Sequence, residues 1–154
     1  MIEYVKGNLL ADKAEALVNT VNTVGVMGKG IALEFKKAFP KNYEYYRKEC
    51  LFHGFHTGAL LRVRDSSPIY GEKLIINFPT KQHWSDPSKY EYIEEGLWLL
   101  QGDLCHNRIK SLALPALGCG NGGLDWHNVK KLIHRYLYLD IQLVEVDIRV
   151  YEPG

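Results

Sequence analysis

The chain has little of what would tie it together covalently or send it to a membrane. Its 154 residues include three cysteines, Cys50, Cys105 and Cys119. The number is odd, no C-x-x-C pair occurs, and no histidine lies nearby at zinc-ligand spacing. This excludes a disulfide framework and a structural zinc site, and predicts free thiols in a reducing cytoplasm. His53 and His56 read as loop residues, and no metal is expected. An apolar run of about 18 residues is missing, as is a signal sequence, so the expectation is a soluble cytoplasmic protein without a membrane partner. A net charge of +1 carries no global nucleic-acid signature, so any contact with DNA must be local. No repeat, low-complexity tract or linker interrupts the chain. With 46% hydrophobic and 24% charged residues, it is read as one domain over 1–154, long enough to bury about two thirds of its unfolded surface.

Strand and helix periods alternate along this domain. Ile2 to Lys6 alternates like a strand and stops at Gly7-Asn8, and Ala16 to Val21 reads as a buried strand. Ile31, Phe35 and Ala38 form one helical stripe that Pro40 ends, and Asn42 to Cys50 forms a second helix with Tyr43, Tyr46 and Cys50 on one side. Leu51 to Thr57 has no clean period and reads as a loop. Gly58 to Arg64 and Lys73 to Phe78 read as strands joined across Asp65 to Pro68 and Gly71. Ser88 with Glu91 predicts a capping box for a helix through about Asn107. Ser111 to Pro115 is a buried strand, Asp125 is placed to cap a helix from Trp126 to Tyr138, and Leu143 to Tyr151 is the last strand. The interleaving predicts a three-layer α/β/α domain with a central mixed, largely parallel sheet.

Two strand, glycine-loop, helix units stand out. The first contains Gly25, Gly28 and Gly30, and the second runs from Gly118 to Gly123. Neither is the dinucleotide fingerprint or a Walker A loop. Backbone N–H groups from two such loops, beyond the carboxyl ends of the strands, suit a diphosphate; two ordinary turns are the alternative.

The stretches GNL (7–9), VNTVN (18–22), GVMGKGIA (25–32) and PALGCGNGGL (115–124) resemble a macrodomain, the ADP-ribose-binding fold, across essentially the whole chain. NTVGVMGKGIA (22–32) and FPTKQHW (78–84) are most similar to the DarG-type DNA ADP-ribosyl glycohydrolases, antitoxins that reverse DarT-type toxins, and to the related human terminal ADP-ribose glycohydrolase. The resemblance implies that Asn8 and Leu9 stand at the adenine, where many macrodomains use Asp and Ile, and that Tyr151 packs on that base or belongs to the core. It implies a first phosphate wall of Gly28, Lys29, Gly30 and Ile31 and a second of Gly118, Cys119, Gly120, Asn121 and Gly122. Asn22 is expected at the distal ribose, with a turn asparagine as the alternative, and Asn19 is read as structural.

The same resemblance implies the chemistry. Lys81, otherwise an ordinary surface lysine, matches the nucleophile that forms a lysyl-ADP-ribose intermediate, attacking as the neutral amine. The human relative carries a catalytic aspartate in the second loop where Gly122 aligns here. Gln82, His83, Trp84 and Lys89 offer single-stranded DNA hydrogen bonds, a cation and an aromatic face; capping of the core is the alternative for Trp84. Lys36, Lys37, Lys41, Arg47 and Lys48 form either a phosphate-following patch or a solvated face. The implied partners are ADP-ribosylated single-stranded DNA and a cognate DarT-type toxin, which DarG-type proteins engage through a further C-terminal region. A non-catalytic ADP-ribose reader and a hydrolase of O-linked protein ADP-ribose are the rival expectations.

Overall fold

Which helix goes to which side of the sheet is decided by the alternation of apolar side chains along the strands. The computed structural model describes residues 2–106, 109–138 and 145–154. Its strands are β1 (Ile2–Val5), β2 (Ala16–Val21), β3 (Leu61–Ser67), β4 (Gly71–Pro79), β5 (Ser111–Pro115) and β6 (Asp147–Tyr151). They lie in the order β1-β6-β5-β2-β4-β3, parallel except for the β3–β4 hairpin. The helices are α1 (Gly30–Ala38), α2 (Pro40–Phe52), α3 (Tyr90–Cys105) and α4 (Trp126–Leu137).

Ala16, Val18, Ile76, Phe78, Leu112, Leu114, Ile148 and Val150 point to one face, against Ile93, Leu97 and Leu100 of α3 and Val129 and Ile133 of α4. Their neighbours Leu17, Ile75 and Ala113 point to the other face, against Phe35 and Phe39 and a short 3-10 turn at Leu9–Ala11. Strands covered on both sides read as continuous apolar runs, as β4 does. Phe35 and Phe39 are fully buried, each stabilising the α1 side by roughly 1.5–3 kcal/mol. This is the expected three-layer α/β/α architecture with a mixed, largely parallel sheet.

Differences from the sequence expectation trace to contacts across the fold. β3 runs to Ser67 and the hairpin turns at 68–70, so Asp65 is a strand residue. Its buried carboxylate accepts the Asn42 N–H at 2.9 Å, capping α2, whose own N-cap, Phe39, offers no side-chain oxygen. α2 continues through Phe52, beyond the expected start of a loop at Leu51. The Ser88–Glu91 capping box does not form. Lys89 is the N-cap of α3, and the Ser88 N–H is spent on Gly122 O at 3.0 Å. Asp125 does cap α4, accepting the His127 N–H at 3.4 Å. The expected end of the third helix at Asn107 and start of the last strand at Leu143 lie outside the described residues, but Glu145 and Val146 are described and precede β6, which begins at Asp147.

Candidate functional site

β2, β4, β5 and β6 are mutually aligned, so Val21, Thr80, Pro115 and Tyr151 come together at the carboxyl end of the sheet. There they floor a cleft of about 1040 Å³. The two glycine loops form its opposing walls, with Gly28, Lys29, Gly30 and Ile31 on one side and Gly118, Gly120, Asn121 and Gly122 on the other. Gly30 opens α1 and leaves that helix's first N–H groups toward the cleft, an arrangement suited to anions.

Loop 1 is shaped around Asn22, which is only 7% exposed. Its Oδ1 accepts the Tyr46 hydroxyl at 2.8 Å and the N–H groups of Val24 and Val26 at 3.1 and 3.4 Å, and its Nδ2 donates to Val26 O at 2.7 Å. An amide nitrogen carries two hydrogens, so one donor remains for a ligand. Asn22 is therefore both a turn asparagine and a cleft residue. Asn19 is structural, as expected: fully buried, it donates toward Asn77 Oδ1 at 3.4 Å.

Loop 2 is built by close approach. A Cβ added to Gly122 would stand 2.2 Å from Ser88 Oγ and 2.4 Å from Gly118 O, so no side chain fits there. A carboxylate at this position is thus excluded by packing. Cys119 is absent from the cleft lining; its Sγ lies 3.5 Å from Leu117 O, and burial, with Asp125 nearby, pushes the thiol up to about 11.

Lys81 ties its own loop to loop 2. Its Nζ donates to Asn121 O in loop 2 and to Trp84 O, both at 3.2 Å. Gln82 and His83 lie outside the lining, on the rim. The Gln82 carbonyl accepts the Thr23 N–H at 2.9 Å and the Thr23 hydroxyl at 2.8 Å, and the His83 ring lies 4.7 Å from that of Trp84. Trp84 is 54% exposed and lines the cleft, so it does not cap the core.

At the far end, Asn8 and Leu9 line the cleft with Tyr151. Asn8 Oδ1 caps the 3-10 turn through the Leu10 N–H at 3.1 Å. The Tyr151 hydroxyl donates to Asp12 Oδ2 at 2.6 Å, and Arg149 grips the same carboxylate through two bonds of 2.8 Å. Burial alone would raise the Asp12 carboxyl, but the hydrogen bonds from Arg149, Tyr151 and the Ala14 N–H outweigh it and bring the group down to about 2. Sequence reasoning missed Asp12, Arg149 and Tyr46, because nothing local marks a side chain that acts by holding another. Thr80, directly before Lys81 at a strand end, was open to discovery. Among the described residues no group of three His, Cys, Asp or Glu is placed to hold a metal, and no helix is long and apolar enough to cross a membrane.

Comparison with known proteins agrees with this geometry. The Macro domain family model matches residues 18–133. The chain is 51% identical, over 99% of its length, to a DNA ADP-ribosyl glycohydrolase of Thermus aquaticus, of which it covers 41%. The macrodomain of Mycobacterium tuberculosis DarG matches with a TM-score of 0.91 and 46% identity, covering 100% of this chain and 99% of that one. Thermosipho africanus DarTG in complex with ADP-ribose matches with a TM-score of 0.87 and 34% identity over 99% of this chain and 41% of that one. The chain spans about two fifths of the length of the first curated relatives it matches. The fold, the paired glycine loops and these similarities lead to one assignment: the chain belongs to the Macro domain family.

Proposed function

We propose that this macrodomain is a DNA ADP-ribosyl glycohydrolase, which removes ADP-ribose from nucleobases of single-stranded DNA and acts as antitoxin to a DarT-type DNA ADP-ribosyltransferase in the cytoplasm. The observation that carries the proposal is the position of Lys81, an amine bonded to a loop 2 carbonyl at the rim of a cleft walled by both glycine loops. The loops hold the diphosphate, Asn8, Leu9 and Tyr151 the adenosine end, and the remaining Asn22 donor the distal ribose. The neutral Lys81 amine attacks the anomeric carbon of that ribose. The bond to the base breaks with its electron pair leaving on the base, which takes up the proton that the newly bonded Lys81 nitrogen gives off. Water then cleaves the lysyl-ADP-ribose adduct, freeing the amine and ADP-ribose, without a metal.

One observation favours a second reading, an ADP-ribose reader that does not cleave. Loop 2 has no room for a carboxylate at Gly122 to activate that water. Presenting ADP-ribosylated single-stranded DNA and an O-linked ADP-ribosyl peptide to the unmodified protein, with binding and release measured separately, tests the choice. Release from the DNA substrate supports the proposal. Tight binding without release makes the protein a reader, and release from the peptide alone makes it an ester hydrolase.

A further inference from the structure

The rim that carries Lys81 continues onto α2. Thr23 stitches loop 1 to the Gln82 carbonyl, and on its other side loop 1 packs on α2: a Cβ at Gly25 would lie 3.5 Å from Cys50 Cβ and 3.7 Å from Arg47 O. The Tyr46 hydroxyl adds a bond to Asn22 O at 2.9 Å. The Lys81 loop, loop 1 and the middle of α2 are therefore one connected lip. Exposed on its three parts are Trp84 in the Lys81 loop, Val24 at 38% in loop 1, and Arg47 and Lys48 on α2. Among the described residues neither Arg47 nor Lys48 makes an ion pair. Across the sheet, α3 carries Glu91, Glu94, Glu95 and Asp103 and no lysine or arginine. α2 also carries Glu44 and Glu49 beside Lys41, Arg47 and Lys48, and Glu94 and Asp103 of α3 pair with Arg135 and Arg62; the balance of charge still favours a polyanion on α2 over α3.

Resting on the proposed DNA substrate, we infer that this lip is a track for the single strand flanking the modified nucleotide. A neighbouring base stacks on Trp84, the backbone crosses the Thr23–Gln82 seam beside Val24, and its phosphates meet Arg47 and Lys48. Stacking supplies a sequence-tolerant anchor and the two cations a salt-dependent one, the combination general to single-strand binding.

The test measures binding of an unmodified, fluorescently labelled single-stranded oligonucleotide by anisotropy across a salt series, so it reads the track whether or not ADP-ribose is released. The double variant Arg47→Ala/Lys48→Ala, both positions exposed, is expected to bind about tenfold more weakly. Its log–log salt slope should flatten by roughly 1.4, the contribution of two phosphates on a single strand. Trp84→Ala should weaken binding while keeping the slope. Thermal midpoints report that each variant is folded. Unchanged affinity and slope in the double variant, or an equal loss from Lys130→Ala/Lys131→Ala on α4, would overturn the track while leaving the glycohydrolase proposal in place.

Discussion

The two glycine loops look alike in sequence and differ in what their glycines are for. In loop 1, Gly25 and Gly30 take left-handed backbone angles, φ +87° and +56°, while the space beside each is ordinary: the nearest atoms to an added Cβ are 3.5 and 3.6 Å away. The loop's shape comes from a side chain, Asn22, with Tyr46 beneath it. In loop 2, Gly118 and Gly123 are left-handed as well, φ +73° and +80°, but space is a further constraint at two positions. Gly118 would drive a Cβ to 2.9 Å from Leu124 Cδ1, and Gly122 would drive one into the Gly118 carbonyl. Both walls use left-handed turns, but the first is held by the Asn22 hydrogen bonds and the second by close packing, against side chains at Gly118 and against main chain at Gly122. Two loops proposed to hold one diphosphate can rest on different physics, and they should fail differently.

The sharpest break in that comparison is Gly122→Ala. Overpacking against main chain cannot be relieved by a rotamer change, so loop 2 must move, at a cost of about 1–3 kcal/mol. Chemical denaturation should show that loss, and calorimetry should show ADP-ribose affinity falling by at least tenfold. Next comes Asn22→Ala, which removes the centre of loop 1 and leaves the buried Tyr46 hydroxyl without its side-chain acceptor; about 1–3 kcal/mol of stability should go. Weaker ADP-ribose binding and slower release are expected with it, and unchanged values for both would remove Asn22 from the site. Smaller again is Gly25→Ala, where only the left-handed angle is at stake, at about 1–2 kcal/mol. Gly28→Ala should fall within about 0.5 kcal/mol of the unmodified protein, because its φ is not left-handed and the nearest atom is Val26 Cγ1 at 3.5 Å. A Gly28 effect as large as that of Gly122 would erase the distinction between the loops.

Local patterns were legible and distant partnerships were not. Asp125 could be recognised as a cap because its acceptor and the His127 donor are two residues apart. Ser88 has the same kind of signal with Glu91, yet its N–H goes to Gly122, which reaches it only once loop 2 has folded over the start of α3. Asp65 reads as a turn residue until α2 supplies Asn42 as its donor. In the site, the glycines, Asn22 and Lys81 sit in short strand-to-helix connections that family resemblance can match, and all but Cys119 of the expected wall and nucleophile residues line the cleft. The Asp12–Arg149 pair behind Tyr151 joins residues from opposite ends of the chain. A single sequence carries no mark of that meeting.

In the proposed reaction, bond breaking belongs to Lys81 and binding to the loops. Lys81→Ala separates the two when ADP-ribose release from ADP-ribosylated single-stranded DNA and ADP-ribose affinity are measured on the same preparation. The expected result is release at the uncatalysed background with affinity within about threefold of the unmodified protein, a change under 1 kcal/mol. Release at full rate from Lys81→Ala would contradict it.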